Sequence, residues 1–152
     1  MRRLLVILSG LVLLTACERD DLCLEKPAAD MNTLFINRIT QEREAVELMV
    51  LYGQDTVVQQ RATDSLHIPL PVDTSRVTYR FIKNPGNNSN TDQVEISYTI
   101  DEIFISKACG FKTVFTGLQM HLINDSDNWI KQIEIVLPEI KTDTLNHVKI
   151  YH

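Results

Sequence analysis

Several ingredients of familiar chemistry are scarce in this chain. Five glycines in 152 residues leave little room for a phosphate-cradling loop, and neither a glycine-rich motif nor a G-x-S-x-G nucleophile turn is present. The three cysteines include no C-x-x-C pair, which excludes a thiol–disulfide exchange site. His67, His121, His147 and His152 lack H-E-x-x-H or i, i+4 helical spacing, so they read as surface or strand residues and no metal site is assigned. No apolar run approaches the roughly 20 residues that a membrane-crossing helix needs. Basic residues are outnumbered, 15 Lys+Arg against 20 Asp+Glu, and a net charge of −5 repels phosphate backbones, so nucleic acid is not an expected partner. The length suits one domain and excludes a two-domain enzyme. Asp20-Asp21 and Asp101-Glu102 are adjacent pairs that would point apart on a strand, which argues against paired acid and base. The chain is expected not to be an enzyme, with no catalytic residue and no cofactor.

What is present begins at the N-terminus. Met1-Arg2-Arg3 is a short basic segment, and Leu4 to Leu14 is an apolar run of eleven residues broken only by Ser9 and Gly10. That is the length of a secretory signal's apolar region. Leu14-Thr15-Ala16-Cys17 follows, and it closely resembles the lipobox of bacterial lipoprotein signals. The resemblance implies cleavage before Cys17 and acylation of its thiol, with two or more acyl chains giving a stable anchor in the membrane. The other reading is a soluble exported protein cut near Ala16 with a free Cys17. Residues 1–16 are therefore expected as signal peptide, 17–32 as a lipidated acidic tether and 33–152 as one folded domain. Loss of Arg2 and Arg3 leaves 136 residues with 13 basic and 20 acidic side chains, net −7, so lipid rather than a polybasic patch must do the anchoring. Glu18-Arg19-Asp20-Asp21 reads either as a solvated spacer or as a signal resembling the one that sends Bacteroidetes lipoproteins to the outer face of the outer membrane.

With Cys17 assigned to lipid, Cys23 and Cys109 remain in a compartment that permits disulfides. A disulfide between them is expected; two separately buried thiols are the alternative.

From Thr33 onward the dominant pattern is alternation with period two. Val77-Tyr79-Phe81, Val94-Ile96-Tyr98-Ile100 and Trp129-Ile133-Ile135-Leu137 each mark one buried face of a strand. Val46 to Tyr52 is apolar on both faces and reads as a central strand. Leu34–Ile39, Thr56–Gln60, Ser65–Leu70, Phe111–Phe115, Leu118–Ile123 and Asn146–Tyr151 complete nine or ten strands. The expected fold is all-β, an antiparallel β-sandwich of immunoglobulin-like type. Gly53-Gln54-Asp55 reads as a hairpin turn, 84–90 as a long polar loop, and Pro69 with Pro71 place 66–72 on an edge or in a crossover. Apolar parity flips at Asp101-Glu102, which predicts a bulge or a tight turn. Ile39–Met49 competes between a helix and a polar turn at Gln41–Glu44. Asp125-Ser126-Asp127-Asn128 has the alternating oxygens of a calcium loop but lacks its glycine and terminal glutamate, and a β-turn is the better reading.

The CERDDLC start, the segment Ile105–Phe115 (ISKACGFKTVF) and the segment Trp129–Val136 (WIKQIEIV) together resemble a family of small Bacteroidetes lipoproteins of unknown function, DUF6452. The resemblance implies no catalytic or binding residue, because the family has no assigned activity. Asp55-Thr56-Val57, Asp64-Ser65-Leu66 and Asp143-Thr144-Leu145 resemble the Asp-Ser/Thr-aliphatic sequon of Bacteroidetes O-glycosylation, which makes Thr56, Ser65 and Thr144 candidate acceptors; Asp and Thr also precede apolar residues at ordinary strand starts. The expected function is that of a non-enzymatic binding or accessory module at the outer membrane, meeting an envelope protein or outer-membrane barrel by a loop or an edge strand. The alternative is a small envelope enzyme, or a carbohydrate- or calcium-dependent binder using loops 84–90 and 124–128.

Overall fold

Alternating side chains form nine strands among the residues described, 22–86 and 88–152 of a computed structural model. In chain order they are β1 (Met31–Ile36), β2 (Val46–Tyr52), β3 (Asp55–Thr63), β4 (Ser65–Ile68), β5 (Arg76–Lys83), β6 (Asn90–Ser106), β7 (Gly110–Ile123), β8 (Gln132–Ile135) and β9 (Val148–Tyr151). One sheet has the order β3-β2-β5-β6-β7 and the other β4-β1-β9-β8. Neighbouring strands are antiparallel except β1 and β9, which run parallel. The result is the all-β sandwich that the alternation implies. Its strand orders are not the ABED and CFG orders of an immunoglobulin domain, so the immunoglobulin-like detail is not reproduced.

The core lies between the sheets. Leu48 and Val50 on β2, Val77, Tyr79 and Phe81 on β5, and Val94 and Ile96 on β6 meet Met31 and Phe35 on β1, Leu66 and Ile68 on β4, and Val148 and Ile150 on β9, all of them buried. Each such side chain contributes about 1.5–3 kcal/mol relative to exposure, and the alternation exists because only one face of each strand reaches this layer.

Several local expectations resolve in physical terms. β2 is central, between β3 and β5, and reverses into β3 through Gly53-Gln54, where Gly53 takes a φ of +60° suited to a tight hairpin turn. The segment 39–45 forms a polar turn rather than a helix, with Gln41 N–H donating to the Asn37 carbonyl. β4 is an edge strand, and the chain then crosses to the other sheet through Pro69 and Pro71. The tyrosine hydroxyls of Tyr79 and Tyr98 donate to the carbonyls of Pro69 and Pro71, tying the crossover down. Burial raises both phenol pKa values, so they remain protonated donors.

Two expectations are corrected. The β6–β7 register runs unbroken from Thr99↔Thr116 to Phe104↔Phe111, so neither bulge nor turn lies at Asp101-Glu102. The parity flip marks where the hairpin leaves the core. The register shifts lie elsewhere, between Ser97 and Thr99 opposite Gly117, at φ +62°, and between Phe104 and Ser106. The folded domain also begins before residue 33: Ala29 is buried, β1 begins at Met31, and Cys23, Glu25 and Pro27 are held at the β6–β7 turn and on β7. Composition suggested a tether because the segment is held mainly by backbone bonds, one disulfide and the ion pairs Glu25–Lys112 and Lys26–Asp143, none of which needs an apolar pattern.

Those contacts protect an edge. β7 ends the larger sheet, and its free backbone groups are taken by two other segments. Thr113 N–H donates to the Pro27 carbonyl at 2.8 Å, while Phe115 and Ile140 exchange backbone bonds of 3.1 and 2.8 Å. β3, at the opposite side of the sheet, is the other edge.

Candidate functional site

The long β6–β7 hairpin reaches past the small sheet and turns at Ser106–Gly110. Gly110 takes a φ of +69°, and Cys109 N–H donates to Ser106 Oγ at 3.1 Å, which closes the turn. Cys109 is disulfide-bonded to Cys23, with Cα atoms 4.9 Å apart across a sequence separation of 86. Two residues on, the Glu25 carboxylate meets Lys112 Nζ at 2.7 Å. The Lys112 side chain is 9% exposed and the Glu25 side chain 52%, so the ammonium is the buried partner. Cys23, Glu25, Lys26, Pro27, Ile105, Cys109, Phe111 and Lys112 line a shallow cleft of about 100 Å³ at this tip.

The apolar residues of the tip are the least expected feature. Phe104 and Phe111 are cross-strand partners, 59% and 65% exposed, with ring centroids 5.5 Å apart in an edge-to-face arrangement. Leu22 and Leu24, which flank the disulfide, are 83% and 88% exposed. Sequence parity had pointed to Ile103 and Ile105. The available signal was a phenylalanine on the parity assigned to solvent, at Phe104.

A second cluster combines residues far apart in sequence. Carboxylate oxygens of Asp30 and Asp143 and a ring nitrogen of His67 lie within 4.8 Å of one another, an arrangement with the chemistry of a metal site. Lys26 Nζ sits against both carboxylates, at 3.1 Å from Asp30 and 2.6 Å from Asp143. Its hydrogen bonds to Asp143 and then Asp30 raise the Lys26 pKa, and the same Lys26 bond lowers that of Asp143. The cation of this cluster is thus the protein's own ammonium. No spacing rule links positions 26, 30, 67 and 143, so the sequence carried no signal for it.

The two loops singled out from composition do meet. Asn90 Nδ2 donates to the Asp127 carbonyl at 2.7 Å and to its carboxylate at 3.2 Å, joining the 84–90 and 124–128 loops. Asp125 N–H donates to Asn128 Oδ1 and Asp127 N–H to Asp125 Oδ1, so these oxygens close a turn. This end lies at the start of β6, roughly 50 Å of strand from the hairpin tip. Among the candidate O-glycosylation acceptors, Thr56 and Thr144 are exposed, whereas Ser65 is half-buried within β4, paired with Leu34. His67 and His121 are exposed, His152 is half-buried, and His147 is buried with Nδ1 accepting from Asn32 N–H at 3.0 Å. Cys17 and the 1–16 segment lie outside the described residues.

No curated protein and no solved structure matches the chain. A family model does match, over residues 45–152, a span holding the Ile105–Phe115 and Trp129–Val136 segments and starting after the CERDDLC segment. The chain belongs to DUF6452, a family of unknown function.

Proposed function

We propose that this protein is a lipid-anchored domain of the bacterial cell envelope, held at the outer membrane through acylated Cys17 and acting as a non-enzymatic binding or accessory module. The basic, apolar and lipobox segments before Cys17 support the anchor. The acidic stretch after it resembles the export signal of Bacteroidetes surface lipoproteins. The observation that carries the reading is the disulfide at the hairpin tip: Cys23 follows Cys17 by six residues and is covalently fixed to the far end of β6–β7. An anchor there holds the sandwich by one end and turns the joined 84–90 and 124–128 loops away from the bilayer, where an envelope protein, or the part of an outer-membrane barrel that stands clear of the membrane, can meet them.

Cell fractionation tests the anchor, with Cys17→Ala expected to release the protein from membranes; a variant that still fractionates with them overturns it. Capture from detergent-solubilised envelope tests the module, with a stoichiometric partner lost when residues of the two loops are replaced. The Asn90–Asp127 junction favours one other reading, a carbohydrate- or calcium-dependent binder at the same loops. Calcium- or glycan-dependent stabilisation of a partner-free monomer would support that instead.

A further inference from the structure

We infer that the β6–β7 hairpin tip is a membrane-contacting surface, with Phe104 and Phe111 seated in the interfacial layer of the bilayer that carries the Cys17 acyl chains. The inference rests on the lipid-anchor reading and adds a second, non-covalent contact to it. Three observations carry it.

The first is exposure without a covering partner among the described residues. Phe104 and Phe111 stack edge to face on one side of the hairpin while more than half of each remains open to solvent, and Leu22 and Leu24 add two nearly fully exposed leucines at the same end. A clustered apolar patch on an otherwise acidic domain needs an apolar neighbour. The second is reach. Cys23 lies six positions after Cys17, at most about 20 Å of fully extended chain, and Cys23 is bonded to the turn itself. Lipid attachment at Cys17 therefore confines the tip to the membrane surface, whereas a soluble partner would have to compete with the bilayer for it. The third is charge. Between Ile103 and Lys112 there is no carboxylate, and the two charged residues are Lys107, exposed at the turn, and Lys112, paired with Glu25. The turn thus brings no carboxylate of its own to the lipid phosphates, and Lys107 adds an exposed ammonium there. Aromatic side chains with a nearby ammonium suit the headgroup and acyl boundary, where apolar area is buried and the charge stays wet.

The test uses the mature acylated protein in vesicles of phosphatidylethanolamine and phosphatidylglycerol with brominated acyl chains, which quench indole fluorescence on contact. Trp129 is buried near the start of β6 and provides an internal control; Phe104→Trp adds an indole at the tip. Mass spectrometry first establishes acylation of Cys17. The expected result is that Phe104→Trp introduces emission quenched about twofold or more by the brominated lipid, while Trp129 emission in the wild type is unchanged. A vesicle-bound, acylated Phe104→Trp protein whose added emission is unquenched and accessible to an aqueous quencher overturns the tip contact and leaves the anchor standing. Added emission shielded equally with and without vesicles assigns the patch to a second copy of the chain and also overturns it. A chain without acyl groups on Cys17 overturns both readings. Near-ultraviolet circular dichroism verifies that the variant is folded.

Discussion

His147 and Asn32 pair twice: His147 N–H donates to the Asn32 carbonyl at 2.9 Å, and Asn32 N–H donates to the His147 ring at Nδ1, at 3.0 Å. The imidazole stands in for a backbone acceptor just before β1 and β9 come into register at Thr33↔Val148. That role requires an unprotonated Nδ1. Burial, followed by the charge of His67, lowers the His147 pKa against the opposing pull of Asp143; burial and Lys83 lower that of His152 against Glu44. Below about pH 6.5 the unfolded chain therefore binds protons that the native state resists. Stability is full above that pH and declines as pH falls below it. Urea midpoints are expected to be lower at pH 5.5 than at pH 7.5. His147→Leu should cost about 1–3 kcal/mol at pH 7.5, by leaving a buried N–H unpaired, and should flatten the pH dependence. A wild-type midpoint that rises on acidification refutes this.

The disulfide closes a large loop, its cysteines separated by 86 positions in sequence. The chain-entropy model values such closure at about 4–5 kcal/mol, an upper figure because unfolded chains retain structure. Cys23→Ser with Cys109→Ser should lower the unfolding free energy by a few kcal/mol, and reductant should have the same effect on the wild type and none on the double variant. Equal denaturation midpoints with and without reductant would show that the bond contributes nothing.

Glu25 and Lys112 are unequal partners. Removing the half-exposed carboxylate leaves a buried ammonium uncompensated, whereas replacing the ammonium with an apolar side chain removes both the charge and its need for a partner. Glu25→Ala should cost about 1–2 kcal/mol after allowing for solvent screening at Glu25, and Lys112→Met less than about 1 kcal/mol. A double-mutant cycle by chemical denaturation reads the difference, and the reverse ranking contradicts the asymmetry.

Asp92 is fully buried on β6, and its Oδ2 accepts the Ile130 N–H at 2.7 Å, fixing the segment whose Trp129 indole N–H donates to the Phe81 carbonyl. Asp92→Ala strips the acceptor from a buried donor and should destabilise the fold by about 1–3 kcal/mol. Loss of Trp129's near-ultraviolet signal before global unfolding would locate the effect.

Where the sequons are used, accessibility should decide among them. Hexose-bearing peptides from protein purified from its native host are expected at Thr56 and Thr144 and not at Ser65, whose strand position is half-buried. Modified Ser65 alongside unmodified Thr56 and Thr144 would contradict this.

The strands were readable wherever one face met the core, as at Val77-Tyr79-Phe81 and Val94-Ile96-Tyr98, because burial on a pleated strand imposes period two. The same logic failed beyond Ile100, where the hairpin has no sheet opposite it and side-chain parity stops reporting an inside. The Cys23–Cys109 bond is the pairing expected once Cys17 is set aside for lipid, which leaves two thiols of the three. The partition into sheets, the parallel β1–β9 pair and the Lys26 cluster join residues more than a hundred positions apart, through contacts that leave no periodic trace. Phe104 and Phe111 were visible as residues, but their exposure follows from the hairpin's length relative to the small sheet, which only the pairing registers reveal.

β1 lies between β4 and β9, so the smaller sheet joins Phe35 near one end of the described chain to Ile150 near the other. A polypeptide emerging N-terminus first delivers β1 more than a hundred residues before β9 arrives. Until then Thr33 and Phe35 have β4 on one flank and no strand on the other, while β2, β3, β5, β6 and β7 already suffice to complete the larger sheet. Such distant pairing is slow to close. The larger sheet can therefore assemble while the chain is still emerging into the compartment where it folds, and the sandwich shuts only at the end, with the last strand acting as the clasp.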